Sequence, residues 1–137
     1  MTDILTVTLN PALDLATTTH SVVAGPKLRC NSPSAEPGGG GVNVARAVRH
    51  LGGSARALVA AGGPNGRRLD RLIRDQGVDV AIIDAPGDTR MSLAVTASDS
   101  GAQYRFVMPG PVWSATDLDG AVSQIAQHAS HEGIVVL

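Results

Sequence analysis

The sequence predicts an α/β protein built on a mainly parallel sheet, and three observations predict it. Short aliphatic runs at residues 4–9, 55–61 and 78–83 alternate with segments of helical periodicity. The chain is 43% hydrophobic, yet its only aromatic residues are Tyr104, Phe106 and Trp113, so the core is built from Val, Leu, Ile and Ala. Its 137 residues suffice for one domain with a real core.

Each element has its own signal. Residues 4–9 form a short apolar strand closed by Asn10-Pro11. Residues 13–20 and 27–35 read as two extended pieces rich in Thr, Ser and Val, separated by Ala24-Gly25-Pro26. After a glycine run, Val44, Val48 and Leu51 recur at i, i+4 and i+7, a helical stripe that Gly52-Gly53 terminates. Residues 55–61 make a second strand. Residues 66–76 make a helix with Leu69, Leu72 and Ile73 turned inward, and residues 78–83 a third strand. Residues 91–97 and 103–108 form a hairpin around Asp99-Ser100-Gly101. Ser114, three residues before Asp117, is a capping box with Asp in the place of Glu or Gln. The helix behind it carries Leu118, Ala121, Val122, Ile125 and Ala129 on one face. Residues 133–137 read as a strand buried on both faces, and the chain is expected to be the N-terminal portion of something longer.

The segments at about 13–35 and 88–109 break the strand–helix alternation. They are half-polar and β-rich, and are expected to pair into a small separate sheet, a lid over one edge of the main body. No internal repeat is present.

Composition excludes several classes. Eleven basic and twelve acidic residues leave a formal charge of −1, which does not suit a general nucleic-acid surface. Cys30 is the only cysteine, so no intrachain disulfide forms, and it is read as packing on one side of the lid. His20, His50, His128 and His131 lack metal-ligand spacing and are read as surface or helix-end residues. No run approaches a membrane span and the start is not a signal peptide, so a soluble cytoplasmic protein is expected.

The segment "EPGGGGVNVARAVRHLGG" places four glycines directly before a helix. It is not a P-loop, because Val42-Asn43 follows Gly41, and Val44 stands where a G-x-G-x-x-G pattern begun at Gly39 needs its last glycine. Two readings remain. Glycine lets a ligand approach bare backbone at a helix N-terminus, where Asn43 adds a donor and an acceptor suited to sugar hydroxyls. Otherwise the run is a flexible turn and Asn43 a plain helix-start residue. Asp14, just past the first strand, sits where an α/β sheet binds ligands, or is a turn residue after Asn-Pro. Lys27 and Arg29 alternate along one presumed strand, while Arg90 and Arg105 lie in the hairpin. The four cations line a phosphate pocket, or protect sheet edges by charge.

Together "TLNPALD", "GPKLRC", the glycine segment, "TR" at 89–90 and "QYRFVMPG" resemble, in the same order, the PfkB-type carbohydrate kinases. The resemblance spans nearly the whole chain. It lies with the phosphosugar branch, most like the minor-isozyme type of bacterial 6-phosphofructokinase. It implies a ribokinase-like three-layer sandwich with a β-sheet lid, a homodimer clasped through the lids, and transfer of the γ-phosphoryl of ATP with Mg²⁺ to the 1-hydroxyl of fructose 6-phosphate. By motif, Asp14, Gly38, Gly39 and Asn43 would hold the sugar. Lys27 and Arg90 would hold its phosphate, with Arg29 and Arg105 as further candidates.

Two departures qualify the resemblance. The related 1-phosphofructokinases and tagatose-6-phosphate kinases usually carry Gly-Lys-Gly where this chain has Gly40 in the middle. The family's Gly-Ala-Gly-Asp, with the catalytic aspartate and most of the ATP site, is expected in a C-terminal half absent from these residues. No catalytic residue or metal ligand is therefore named here, and the 137 residues alone are expected not to turn over. The alternatives are 1-phosphofructokinase or tagatose-6-phosphate kinase activity, or a non-catalytic dimerising or binding module.

Overall fold

The computed structural model of the chain describes residues 4–130 and 133–137. Its strands form two four-stranded sheets. Sheet A is parallel and contains β1 (Ile4–Thr8), β4 (Ala55–Ala61), β5 (Asp79–Asp84) and β8 (Ile134–Val136) in the order β5-β4-β1-β8. Sheet B is mixed and contains β2 (Ala12–Thr19), β3 (Ser34–Gly38), β6 (Arg90–Ala97) and β7 (Gln103–Val107) in the order β3-β2-β6-β7. The two half-polar segments therefore do pair with each other, through the parallel register that sets Ala12 beside Arg90 and Asp14 beside Ser92.

Three helices complete the fold: α1 (Gly40–His50), α2 (Gly63–Asp75) and α3 (Ala115–His128). They form layers on sheet A. Val42 and Ala45 of α1 and Leu69 and Ile73 of α2 pack on Ala57, Val59 and Val80. On the opposite face Ala121 of α3 packs on Leu5, Val7, Leu58 and Ile83, with Trp113 and Ile125 beside them. Leu58, Leu69 and Ile73 are fully enclosed. Each such side chain contributes about 1.5–3 kcal/mol by leaving water.

The expected capping box is present. The Ser114 side chain accepts from the Asp117 backbone N–H, and Asp117 accepts from the Ser114 backbone N–H at 2.9 Å. These two bonds satisfy donors that the helix start leaves free.

Several expectations are corrected. Residues 27–33 are not a strand. Pro26 and Pro33 break the ladder, and Asn31 ties the segment to β2, its N–H to the Thr18 carbonyl and its amide to Thr18 Oγ1. Lys27 and Arg29 thus do not alternate along a strand, and Cys30 is exposed rather than packed. In α1 the buried residues are Gly41, Val42 and Ala45; Val44 and Val48 are half-buried, and Leu51, the C-cap, is 84% exposed. Helix α2 begins at Gly63, three residues earlier than its hydrophobic pattern, with Pro64 in its first turn and the Asp88 carboxylate accepting from the Asn65 N–H. Leu118 and Val122 of α3 are exposed. Strand β8 is an edge strand, and Ile134 and Val135 are exposed rather than buried on both faces. His20 and His50 are exposed and His128 half-buried, while His131 lies outside the described residues. No described helix is long and apolar enough to cross a membrane.

Candidate functional site

The carboxyl ends of parallel strands are where α/β sheets bind ligands, and β1 delivers the chain to that edge. Past Thr8 the chain passes Asn10-Pro11 and enters sheet B at Ala12. The end of β3 returns to the same place, because Gly38 pairs with Ala12 and Glu36 with Asp14. The glycine run follows and opens α1.

Distances show what these glycines are for. A Cβ on Gly39 would come 2.6 Å from Thr8 Cγ2, and Gly39 has a φ of 134°. A Cβ on Gly41 would come 2.6 Å from both Thr8 Oγ1 and the Val7 carbonyl oxygen. Both positions let the start of α1 press against the end of β1, where Thr8 Oγ1 accepts from the Val42 N–H at 3.2 Å. Gly38 is needed for a different reason: a side chain there would overlap the Asp14 carboxylate. Only Gly40 faces open space. Protein packing, rather than ligand approach alone, accounts for three of the four glycines.

Alternation along the strands sorts sheet B into two faces. Asp14 lies on one face with Glu36, Ser92, Arg90 and Arg105, as the registers Asp14↔Glu36, Asp14↔Ser92, Ala12↔Arg90 and Ala94↔Arg105 require. A cleft of about 290 Å³ beside Asp14 is lined by Glu36, Ser92 and Arg105 of this face together with Leu15, Leu93 and Phe106. Arg90 is outside the lining of this cleft, and its Nε and Nη2 donate to the Asn10 carbonyl at 3.4 and 3.3 Å. Arg105 donates to Gln103 Oε1 at 2.8 Å. Asp14 is half-buried, so its carboxylate keeps access to the cleft.

Asn43 is exposed on the first turn of α1, and its Oδ1 accepts from Arg46 Nη1 at 3.5 Å. Arg46 also pairs with Glu36 at 3.0 Å, which connects Asn43 to the strand beside Asp14. The structure thus brings together Asp14, Gly38, Gly39, Arg90 and Arg105, and links Asn43 to them. Lys27 and Arg29 are not brought to Asp14. They stand on the exposed loop of residues 20–33, where the Arg29 carbonyl accepts from Thr19 Oγ1 at 3.1 Å. Thr19 is five residues along β2 from Asp14, a distance on the order of 16 Å.

Sequence reading missed Glu36, Arg46 and Ser92. Two of these carried a signal: Ser92 is two residues from Arg90 on one strand, and Arg46 is three from Asn43 on one helix. A second cavity of about 300 Å³ opens at the opposite edge of sheet A, beside Ser54, Arg56, Asp79 and His128. There the Arg56–Asp79 pair, at 2.7 Å, already satisfies its own charges.

No three His, Cys, Asp or Glu side chains converge among the described residues as metal ligands, and the glycine run lacks the lysine of a phosphate-cradling loop.

Known proteins resemble this chain over nearly all of its length. The family model described as "pfkB family carbohydrate kinase" matches residues 4–132. The chain is 46% identical over 136 residues to the ATP-dependent 6-phosphofructokinase isozyme 2 of Escherichia coli, covering 99% of this chain and 44% of that protein. It is 41% identical over 133 residues to the isozyme of the same name from Mycobacterium tuberculosis, covering 97% of this chain and 39% of that protein. The crystal structure of Escherichia coli phosphofructokinase-2 in complex with fructose-6-phosphate superposes with a TM-score of 0.90, at 46% identity, over 98% of this chain and 44% of that one. The chain thus spans less than half the length of the curated relatives it matches.

Proposed function

We propose, from the premise that this chain belongs to the pfkB family of carbohydrate kinases, that it forms the sugar-binding part of an ATP-dependent phosphohexokinase acting on fructose 6-phosphate. The observation that carries this reading is that Asp14, Arg90 and Arg105 share one face of sheet B, with Asp14 packed against Gly38 near the start of α1. A carboxylate accepts hydrogen bonds from two sugar hydroxyls, and guanidinium groups bind phosphate through paired N–H donors. The Escherichia coli relative with the same fold is solved with fructose 6-phosphate bound.

Asp14 receives sugar hydroxyls, with Gly38 and Gly39 setting the backbone wall beside it. The Asn43 amide supplies a further polar contact from α1. Arg90 and Arg105 neutralise the 6-phosphate within one copy of the chain, while Lys27 and Arg29 stand on the outer loop. In the whole protein, magnesium and ATP would supply the phosphoryl group that the 1-hydroxyl takes, a reaction governed by positioning and charge stabilisation. None of the residues described is assigned as the base.

Sheet B serves in this reading as a lid, and its other face as a dimer surface. That face carries Leu15, Met91, Leu93, Tyr104 and Phe106, with Phe106 50% exposed. Apolar exposure of this kind on a sheet suits a second copy of the same chain. A cytoplasmic enzyme of sugar-phosphate metabolism is the setting the reading implies.

The test is calorimetric titration of fructose 6-phosphate, fructose and fructose 1-phosphate. Saturable binding that prefers fructose 6-phosphate supports the proposal. Equal, weak heats for all three sugars, or a preference for fructose 1-phosphate, would reject it.

A further inference from the structure

We propose that Arg46 is a positioning residue of the sugar site: it fixes which end of the Asn43 amide faces the sugar, and compensates the carboxylate next to Asp14. The inference rests on the functional reading above and assigns a role to a residue outside the expected sugar contacts.

Arg46 lies three residues after Asn43 on α1, so the two share a helix face. Its Nη1 donates to Asn43 Oδ1 at 3.5 Å and its Nη2 to Glu36 Oε2 at 3.0 Å. A guanidinium has donors only. It therefore selects the oxygen end of the Asn43 amide and leaves the NH₂ end free to donate. A sugar hydroxyl reaching Asn43 then meets a donor, complementing the acceptor oxygens of Asp14 across the site.

The second contact addresses charge. Glu36 and Asp14 are register neighbours on adjacent antiparallel strands, with side chains on one face. Like charges placed directly opposite are destabilising. Arg46 offsets the Glu36 charge, and Gln76, just after α2, donates to the same Oε2 at 3.2 Å. Glu36 still lines the cleft beside Asp14, but Arg46 and Gln76 hold its Oε2 towards α1 and α2 and offset its charge. One planar fork makes both connections. The single ammonium of lysine lacks that two-pronged geometry.

The experiment is a double-mutant cycle read by calorimetric titration of fructose 6-phosphate into the whole protein, with thermal melts alongside. Arg46→Gln is expected to weaken binding about tenfold in the wild-type background. In an Asn43→Ala background the same change is expected to cost clearly less, because the amide route is already removed and only the offset of the Glu36 charge remains to be lost. Arg46→Lys should melt near the wild type yet bind as poorly as Arg46→Gln. Equal losses in both backgrounds, or full binding by Arg46→Lys, would overturn the inference. Should the wild type bind no fructose 6-phosphate, the functional reading fails by itself. The Asn43 side-chain amide resonances, assigned by their loss in Asn43→Ala, then decide the question: a shift on Arg46→Gln supports positioning, and no change refutes it.

Discussion

Gly38 and Asp14 are packed so closely that any side chain at Gly38 would force the Asp14 carboxylate to move. The carboxyl carbon of Asp14 lies 2.7 Å from the place a Cβ on Gly38 would take. Two strands deliver the pair: β3 ends at Gly38 where β2 begins, and the register brings Gly38 opposite Ala12, one pleat from Asp14. The wall of the candidate site is thus set by strand pairing rather than by a flexible loop.

Gly38→Ala should force the Asp14 side chain out of its rotamer. The cost in stability is expected at about 1–3 kcal/mol, with a parallel loss of fructose 6-phosphate affinity. Gly40→Ala is the control, because nothing lies within 4 Å of its Cβ position. It should leave stability unchanged or raise it by about 0.4–1 kcal/mol. Urea denaturation of both variants checks the contrast, and equal destabilisation would contradict it.

Arg90→Ala should weaken fructose 6-phosphate far more than fructose. A hydrogen bond to a charged group contributes about 1.5–3 kcal/mol, or roughly tenfold to a hundredfold in affinity. Titration with the two sugars measures the difference. Proportionate losses for both would remove the phosphate role.

Phe106→Asp puts a charge on the apolar face of sheet B. If that face joins two copies, sedimentation velocity at micromolar concentration should show a discrete wild-type dimer and a monomeric variant. Phe106 also lines the cleft beside Asp14, so titration of fructose 6-phosphate into the same variant separates loss of dimerisation from loss of the site. An unchanged sedimentation coefficient would exclude this face.

Asp117 gives the fold a pH dependence of known sign. Its carboxyl is held below the ordinary aspartate range, first by the hydrogen bond from the Ser114 hydroxyl and then by that from the Ser114 backbone N–H. A lowered folded-state value means the ionised form supports the fold. That contribution is fully present above the unfolded-state value and disappears as pH falls through the folded one. Urea melts of wild type and Asp117→Asn should therefore differ most near neutral pH, and the gap should close in acid below about pH 4. A gap that widens in acid would contradict the capping role.

Much of the body is legible in the amino-acid sequence because its causes are local. Strands β1, β4 and β5 are continuous aliphatic runs, and nothing else accommodates them. The Ser114–Asp117 box is a spacing rule, and the structure realises it. Residues 27–33 were less legible. Their composition suits a strand, but Pro26, Pro33 and the bonds from Asn31 to Thr18 make them a loop. The misplaced strand also misplaced Lys27 and Arg29 relative to Asp14. Composition likewise suggested that β8 is buried, yet an edge strand is defined by its neighbours, and only β1 pairs with it among the described residues.

The order of the main elements and the Ser114–Asp117 cap were set by the sequence alone, since periodicity and capping act within a few residues. Tertiary structure alone decided which cations share a face with Asp14, what a side chain at Gly38, Gly39 or Gly41 would meet, and that Arg46 joins Asn43 to Glu36. Those facts depend on close approach between segments far apart in the chain, and such distances exist only once the strands have paired.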